Sequence, residues 1–337
     1  MTASRNQIIS DARVLTADYL PNKLVHRDGE RQEIARNLRP LMDDDIPTDM
    51  LLHGPPGTGK TAMAKYVVEE LQKEVFVNTS YVNCFSHKSR FEIFYELLDE
   101  KLKVPRDSTS TEKVIEKFEE KVRKRPTIII IDEVDQITED EVLYELSRFQ
   151  KAGIIFIAND ANTFSHFEDR VRSRISGVNR IRFKRYSKQQ LTDILKLRRK
   201  HGLREDSVKT SQLKKIASKA GGDARVAVNT LRLAARKAES KGLETITDEI
   251  IKDAVNDAYD EEELESLERL NSHQKKAYKL LQENGPMQIG ELYDKYEDDV
   301  NDSKSRRQLL RYLKKMVSYN ILETEGSKSS TTYSIAE

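Results

Sequence analysis

Residues Gly54, Pro55, Pro56, Gly57, Thr58, Gly59, Lys60 and Thr61 run without interruption. The apolar segment Met50-Leu51-Leu52 precedes them, and a helix-forming stretch from Ala62 to Gln72 follows. A strand, a glycine-rich loop closed by Lys-Thr and a helix together form a phosphate cradle. Glycines let successive backbone N–H groups turn inward, and the helix N-terminus adds partial positive charge. Lys60 is expected on the β- and γ-phosphates and Thr61 on Mg²⁺, with the N–H of Ala62 in the first turn. Further along, Thr127–Asp135 reads Thr-Ile-Ile-Ile-Ile-Asp-Glu-Val-Asp. Asp132, at the carboxyl end of a buried strand, is placed to hold Mg²⁺ directly or through water, and Glu133 to orient or deprotonate an attacking water. Asn159 closes the next apolar run, Ile154–Asn159. Its amide is expected beside the γ-phosphate, although Asn also ends strands for turn reasons alone.

Arginines complete the set. Arg170, Arg172 and Arg174 alternate in Glu168–Ile175, and a guanidinium there can stabilise γ-phosphate charge in cis or across a subunit boundary. Spacing does not say which of the three acts; Arg174 and then Arg170 are preferred over a surface ion-pair role. Gly221-Gly222-Asp223-Ala224-Arg225 opens a helix. Asp223 suits its N-cap, and Arg225 is positioned to fold over the phosphates.

The elements that must hold these groups follow from hydrophobic period. Strands are expected at Met50–His53, at Val75–Asn78 or Tyr81–Asn83, at Thr127–Ile131, Ile154–Ala158 and Arg180–Phe183, mostly alternating with helices, which reads as a parallel sheet covered on both faces. After Tyr186 the β signal gives way to helical periods at Ser187–Arg199, Ser207–Ala220, Ala224–Ser240 and Thr247–Asp257. The acidic, helix-prone Tyr259–Arg269 leads into helices Ser272–Glu283, Ile289–Tyr296 and Ser303–Ser318 and the strand pair Ile321–Glu325 and Thr331–Ile335. Three helices ending in a hairpin describe a winged helix-turn-helix. The expected domains are therefore an α/β nucleotide-binding domain at 1–185, a helical lid at 186–258, and an acidic linker helix with a winged-helix domain at 259–337.

Composition narrows the class. The 337 residues carry 34% charged and 37% hydrophobic side chains with a formal net charge of +1. No apolar run approaches the roughly 20 residues of a membrane span, so no membrane role is expected. Met1–Gln7 lacks the apolar centre of a secretory leader. A single cysteine, Cys84, fits a reducing compartment and core packing. A cytoplasmic location at the nucleoid is expected, or a nuclear one in a eukaryote. Charge is uneven: Arg180–Arg204 holds ten bases and one acid, Asp257–Glu268 seven acids and no base, Lys304–Lys315 six bases and no acid. The first two runs suit solvated helix faces. In the third, Leu309, Leu310, Leu313 and Val317 face a core, while Lys304, Arg306, Arg307 and Arg311 look outward toward duplex DNA. Lys328 at the wing tip suits a groove or backbone contact. Winged helices also dock proteins, the competing use of this domain.

This combination resembles the AAA+ ATPases and, within them, the replication initiators of the cell division control protein 6 family and the large subunit of the origin recognition complex, archaeal type. Tyr19–Ile34 is similar to the family's N-terminal adenine-contacting stretch, which puts Leu24, Val25, His26 and Arg27 near the base. Tyr81-Val-Asn-Cys and Gly-Gly-Asp-Ala-Arg match as well, as does the domain order. The resemblance implies Asn159 as first sensor and Arg225 as second. It also implies ATP/ADP and Mg²⁺ as ligands, and origin DNA, an MCM-type replicative helicase and initiator paralogues as partners. ATP hydrolysis is expected to be slow and switch-like. Phe85–Val104 takes the place of the family's DNA-touching insertion, making Lys88 and Arg90 candidates, though the helix Phe91–Leu102 is rich in acids. Two other readings fit the chemistry: a P-loop transcriptional regulator with a winged helix, and an oligomeric remodelling or clamp-loading ATPase.

Overall fold

Ile128 to Ile131 cannot alternate apolar with polar, so the strand they form has to be covered on both faces. In the computed structural model, which describes residues 7–43, 45–98, 104–319, 321–326 and 331–336, this is what surrounds them. Strand β1 (Met50–His53) leads to helix α2 (Lys60–Gln72), β2 (Asn78–Asn83), α3 (Arg90–Leu97), α4 (Thr111–Lys124), β3 (Thr127–Asp132), α5 (Glu141–Leu146), β4 (Ala152–Ala158), α6 (Asp169–Arg174) and β5 (Asn179–Arg182), with α1 (Asp28–Leu38) ahead of β1. The five strands are parallel in the order β2-β3-β4-β1-β5. Their side chains divide between two cores. Leu51, Ile129, Ile131, Ile154 and Phe156 pack with α3, α4 and α5 on one face; Met50, Leu52, Ile128, Ile130 and Ile181 pack with α1 and α2 on the other. The glycine-rich loop after β1, Asp132 at the end of β3 and Asn159 after β4 all lie at carboxyl ends of the strands, the edge at which open α/β sheets bind ligands.

The helices α7 (Lys188–Gly202), α8 (Thr210–Lys219) and α9 (Ala224–Ser240) belong to the same compact unit as the sheet, which extends to Asp248. Ser187 caps α7 through the Gln190 amide and receives the Gln190 side chain in return. Asp223 caps α9 by accepting from Arg225 and Val226 N–H groups. Both caps satisfy otherwise orphaned donors. Two small departures from the sequence-based expectations occur here. Of the two alternatives for the second strand, Tyr81–Asn83 lies within β2 (Asn78–Asn83), whereas Val75–Asn78 meets it only at Asn78, and α4 lies in a segment for which no helix was expected.

The second unit begins at Glu249. One helix, α10 (Asp248–Glu268), replaces the two expected pieces, because neither Gly nor Pro interrupts it. Then come α11 (Ser272–Asn284), β6 (Met287–Gln288), α12 (Ile289–Asp299), α13 (Arg306–Ser318), β7 (Leu322–Glu325) and β8 (Thr332–Ile335). The antiparallel sheet β6-β8-β7 and three helices enclose Leu281, Leu292, Tyr296, Leu309, Leu313, Met316 and Tyr333. That order of elements is the one expected of a winged helix-turn-helix. Met316 joins the core of α13, whereas Leu310 and Val317 are only partly buried. No helix among the described residues is long and apolar enough to cross a membrane.

Candidate nucleotide-binding site

The loop after β1 is shaped by glycines. Gly54 has φ +146, and a Cβ there would lie 2.0 Å from the Phe183 carbonyl oxygen. Gly57 has φ +67, and a Cβ there would meet Asp223 Oδ1 at 1.7 Å. Neither position tolerates a side chain, so the loop runs hard against β5 on one side and the α9 cap on the other. Gly57 O also accepts from Ala224 N at 3.0 Å. The lid helix is thereby fastened to the centre of the loop.

Lys60 opens α2, and its ammonium is buried. Nζ donates to Gly54 O at 2.6 Å, Pro55 O at 2.9 Å and Asn159 Oδ1 at 3.1 Å. Burial lowers its pKa to about 8, against the opposing pull of Asp132. Thr61 Oγ1 donates to Asp132 Oδ2 at 2.8 Å, and Tyr81 OH donates to the same oxygen at 3.1 Å. Asp132 Oδ1 accepts from Glu133 N at 3.0 Å. Burial pushes the Asp132 carboxyl up, partly offset by these hydrogen bonds, Thr61 first. Glu133 sits at φ +52 and ψ +48, a left-handed conformation uncommon for a side chain of this size. It turns the chain sharply off the end of β3.

The donor set fits a magnesium–nucleotide. A lysine ammonium, a hydroxyl paired to a carboxylate, a glycine-rich loop at a helix start and a second carboxylate after the strand end lie together there. Asn159 reaches this cluster through its hydrogen bond from Lys60. Arg225 is held back on its own cap, with N donating to Asp223 Oδ1 at 2.7 Å and NH2 3.3 Å from Oδ2. Asp223 and Tyr81 are contributors that the motif reading did not single out as site residues. Tyr81 carries a signal in retrospect, being a phenol on the strand paired to β3, two residues before Asn83, the partner of Asp132.

The N-terminal candidates lie beside the lid. Leu24 packs against the core of α1 and α2, and Val25 is half-buried. His26 Nε2 is 3.2 Å from Asp193 Oδ2 on α7. Arg27 is buried: it stacks 4.0 Å over the Tyr186 ring, donates to Lys184 O at 2.5 Å and pairs with Glu30 at 2.9 Å. The three arginines of α6 diverge. Arg170 pairs with Glu168 at 2.7 Å and Glu141 at 3.4 Å, Arg172 pairs with Asp169, and Arg174 lies 4.6 Å over the Tyr144 ring.

Of the DNA candidates, Arg306, Arg307 and Arg311 are exposed on α13, whose N-cap is Ser305. Lys304 stands just ahead, 3.4 Å from Asp302. Lys328 lies outside the described residues. Lys88 is half-buried with its ammonium 5.1 Å over Phe85, and Arg90 is paired with Glu145 at 3.0 Å and Glu112 at 3.4 Å. Arg90 therefore has its guanidinium shared between two carboxylates.

Residues 48–163 match an AAA domain family and residues 192–256 the Cdc6 AAA+ ATPase-type lid domain. With the sheet order and loop geometry above, the class is an AAA+ ATPase, a nucleotide-binding enzyme. ORC1-type DNA replication protein 9 of Halobacterium salinarum is 38% identical across 98% of this chain and 95% of its own length. ORC1-type DNA replication protein 1 of the same organism is 36% identical, covering 89% and 99%. The structure of the Aeropyrum pernix ORC1 protein in complex with DNA superposes with a TM-score of 0.74 at 25% identity, covering 98% of this chain and 94% of that one. The chain belongs to the ORC1-type DNA replication proteins.

Proposed function

We propose that this protein is an ATP-switched replication initiator that grips origin DNA and helps recruit and load an MCM-type helicase. The contact between Gly57 and the α9 cap carries the reading. Ala224 N and the Asp223 carboxylate touch the middle of the phosphate loop, so any shift of that loop moves the lid. In this reading Lys60 binds the β- and γ-phosphates, and Thr61 and Asp132 hold Mg²⁺. Glu133 takes the proton of the attacking water, Asn159 orients it, and Arg225 leaves Asp223 for the γ-phosphate. Magnesium, when bound, neutralises charge developing on the phosphates. Arg174 is the favoured finger, because Arg170 and Arg172 already have carboxylate partners. The winged helix supplies Lys304, Arg306, Arg307 and Arg311 to the duplex, with Lys328 at the wing. Leu24 to Arg27 border the base. The protein acts in the cytoplasm at the nucleoid, with initiator paralogues as further partners.

Genome-wide footprinting of wild type and Lys60→Ala tests this. Discrete sites beside replication start points, weakened in the variant, are expected; occupancy of promoters alone would overturn it. Glu133→Gln should retain ATP and fail to cleave it. Turnover of many ATP per second without DNA would contradict the switch.

A further inference from the structure

Strand β5 is the free edge of the five-stranded sheet, next to β1. Ile181 of β5 and Phe183 just after it fill the core shared with α1 and α2. The other set, Arg180 and Arg182, faces the opposite side in register with Leu51 and His53 of β1, and both are exposed. Lys184 continues the alternation and is also exposed. Among the described residues none of these three cations has a carboxylate partner, unlike Arg90, Arg170 and Arg172. Their field reaches inward, since Arg182 and Arg180 add to burial in holding the His53 imidazole below its usual range.

Arg180 also lines a cleft of about 300 Å³ with Arg172, Ser165, Ser176 and Asn162, over Phe164 and Ile175. Arg172 shares its guanidinium with Asp169, whose side chain is 91% exposed and thus free to swing away. Guanidinium offers five N–H donors and no acceptor, in a fork that matches phosphate oxygens. The hydroxyls and amide add donors of the type that contact nucleic-acid backbones without reading sequence. Residues two apart on a strand stand about 6.6 Å from each other, which spaces the cations along a line rather than at a point. A line of unpaired cations suits a polyanionic strand better than a single anion.

The geometry points to a second duplex-DNA contact on the ATPase domain: Arg180, Arg182 and Lys184 on the β5 edge, with the Arg172 cleft, bind the sugar–phosphate backbone. This rests on the reading that the chain grips duplex DNA. It adds a sequence-independent contact to the winged helix and explains why an edge strand carries bare arginines where pairing would otherwise be favourable.

The experiment measures binding of the full chain to a mixed-sequence duplex as a function of salt. Each phosphate contact adds about 0.9 to the slope of log K against log salt. Arg180→Ala with Arg182→Ala should make the slope shallower by about 1 to 2 and weaken binding at low salt tenfold or more. Arg180→Lys with Arg182→Lys should keep most of the slope, and the melting temperature of both variants should match wild type because the side chains are exposed. An unchanged slope in the alanine variant overturns the proposal. So does unchanged duplex binding coupled to lost capture of a polyglutamate peptide, which would make the surface protein-facing. Arg306→Ala, Arg307→Ala and Arg311→Ala run in parallel separate the two readings. If that triple variant loses DNA while the edge variant does not, only the present inference fails; if wild type itself ignores duplex DNA, both fail.

Discussion

The Asp223 carboxylate occupies the space a side chain on Gly57 would need: a Cβ built there would stand 1.7 Å from Oδ1. Two sequence motifs more than 160 residues apart (Gly57 and Asp223) are thus complementary in shape, and the lid can dock on the phosphate loop only because position 57 is bare. Gly57→Ala has to displace the α9 cap and adopt φ +67. A left-handed non-glycine residue costs on the order of 1 kcal/mol before the clash is counted. The variant should melt lower by about 1–3 kcal/mol of stability and bind ATP more weakly. Gly29→Ala is the control, since nothing lies within 4 Å of its Cβ position and the site is helical. A normal melt and normal affinity in Gly57→Ala would refute the docking account.

Asp132 is held by two side-chain donors, the Thr61 hydroxyl and the Tyr81 phenol. Thr61→Val removes one and leaves a buried carboxylate oxygen with a single partner, at a cost of about 1–2 kcal/mol. Nucleotide affinity should lose most of its dependence on added Mg²⁺. Thr61→Ser should restore both. Tyr81→Phe keeps Thr61 and should weaken Mg²⁺ dependence severalfold while leaving metal-free nucleotide binding intact. Magnesium titrations of nucleotide binding check all three, and equal behaviour of Thr61→Val and wild type would remove Thr61 from the site.

Much of this was legible before the fold was known, for local reasons. Gly54 to Thr61 specify loop, helix start and phosphate chemistry within one short stretch. Ile128 to Ile131 can only be an interior strand, and Asp223 reads as a cap from its neighbours alone. The contacts that couple these pieces were not legible. Nothing local to Gly57 names Asp223, nothing in Tyr81 names Asp132, and the separate fates of Arg170, Arg172 and Arg174 depend on which acids α5 and α6 bring near. Asp193 reaching His26, and Tyr186 stacking on Arg27, are likewise products of packing across the unit. The acidic stretch after Asp257 differs in composition from the residues before it, whereas the backbone of α10 runs unbroken through both.

Asp49 gives a stability prediction with a definite sign. It sits just before β1, and its Oδ1 accepts from Ile154 N at 2.8 Å while its carbonyl accepts from Asn179 N at 2.9 Å, tying β4 and β5 to β1. Burial raises its pKa to about 6, against the lowering effect of the Ile154 amide. An acid raised in the folded state favours folding while protonated, and that advantage is lost as pH climbs from the unfolded value near 4 through 6. Asp49→Asn keeps an acceptor without the charge. It should be more stable than wild type at pH 7–8 by on the order of 1–3 kcal/mol, with little difference near pH 4. Urea denaturation at the two pH values measures this, and a difference of the same size at both would show that burial of the charge is not the cause.

Lys60 runs the opposite way and bears on function. Burial brings its pKa to about 8, from an ordinary 10.5. A lysine depressed by folding costs stability while charged; the cost applies below about 8 and is relieved as pH rises toward 10.5, so this residue makes the free protein more stable over that window. Phosphates need the ammonium. Above pH 8 the free protein must first take up a proton at Nζ, and nucleotide affinity should fall by up to tenfold per pH unit. Lys60→Arg, whose guanidinium stays charged, should bind more weakly than wild type at pH 7 because its bulk disturbs the bonds to Gly54, Pro55 and Asn159, yet its affinity should stay flat from pH 7 to 9.5. Calorimetry in two buffers of different ionisation enthalpy would reveal proton uptake on binding near pH 8.5 in wild type alone. A flat wild-type profile with no proton uptake would mean that Lys60 keeps its ordinary basicity, and that the carbonyls and Asn159 offset its burial in full.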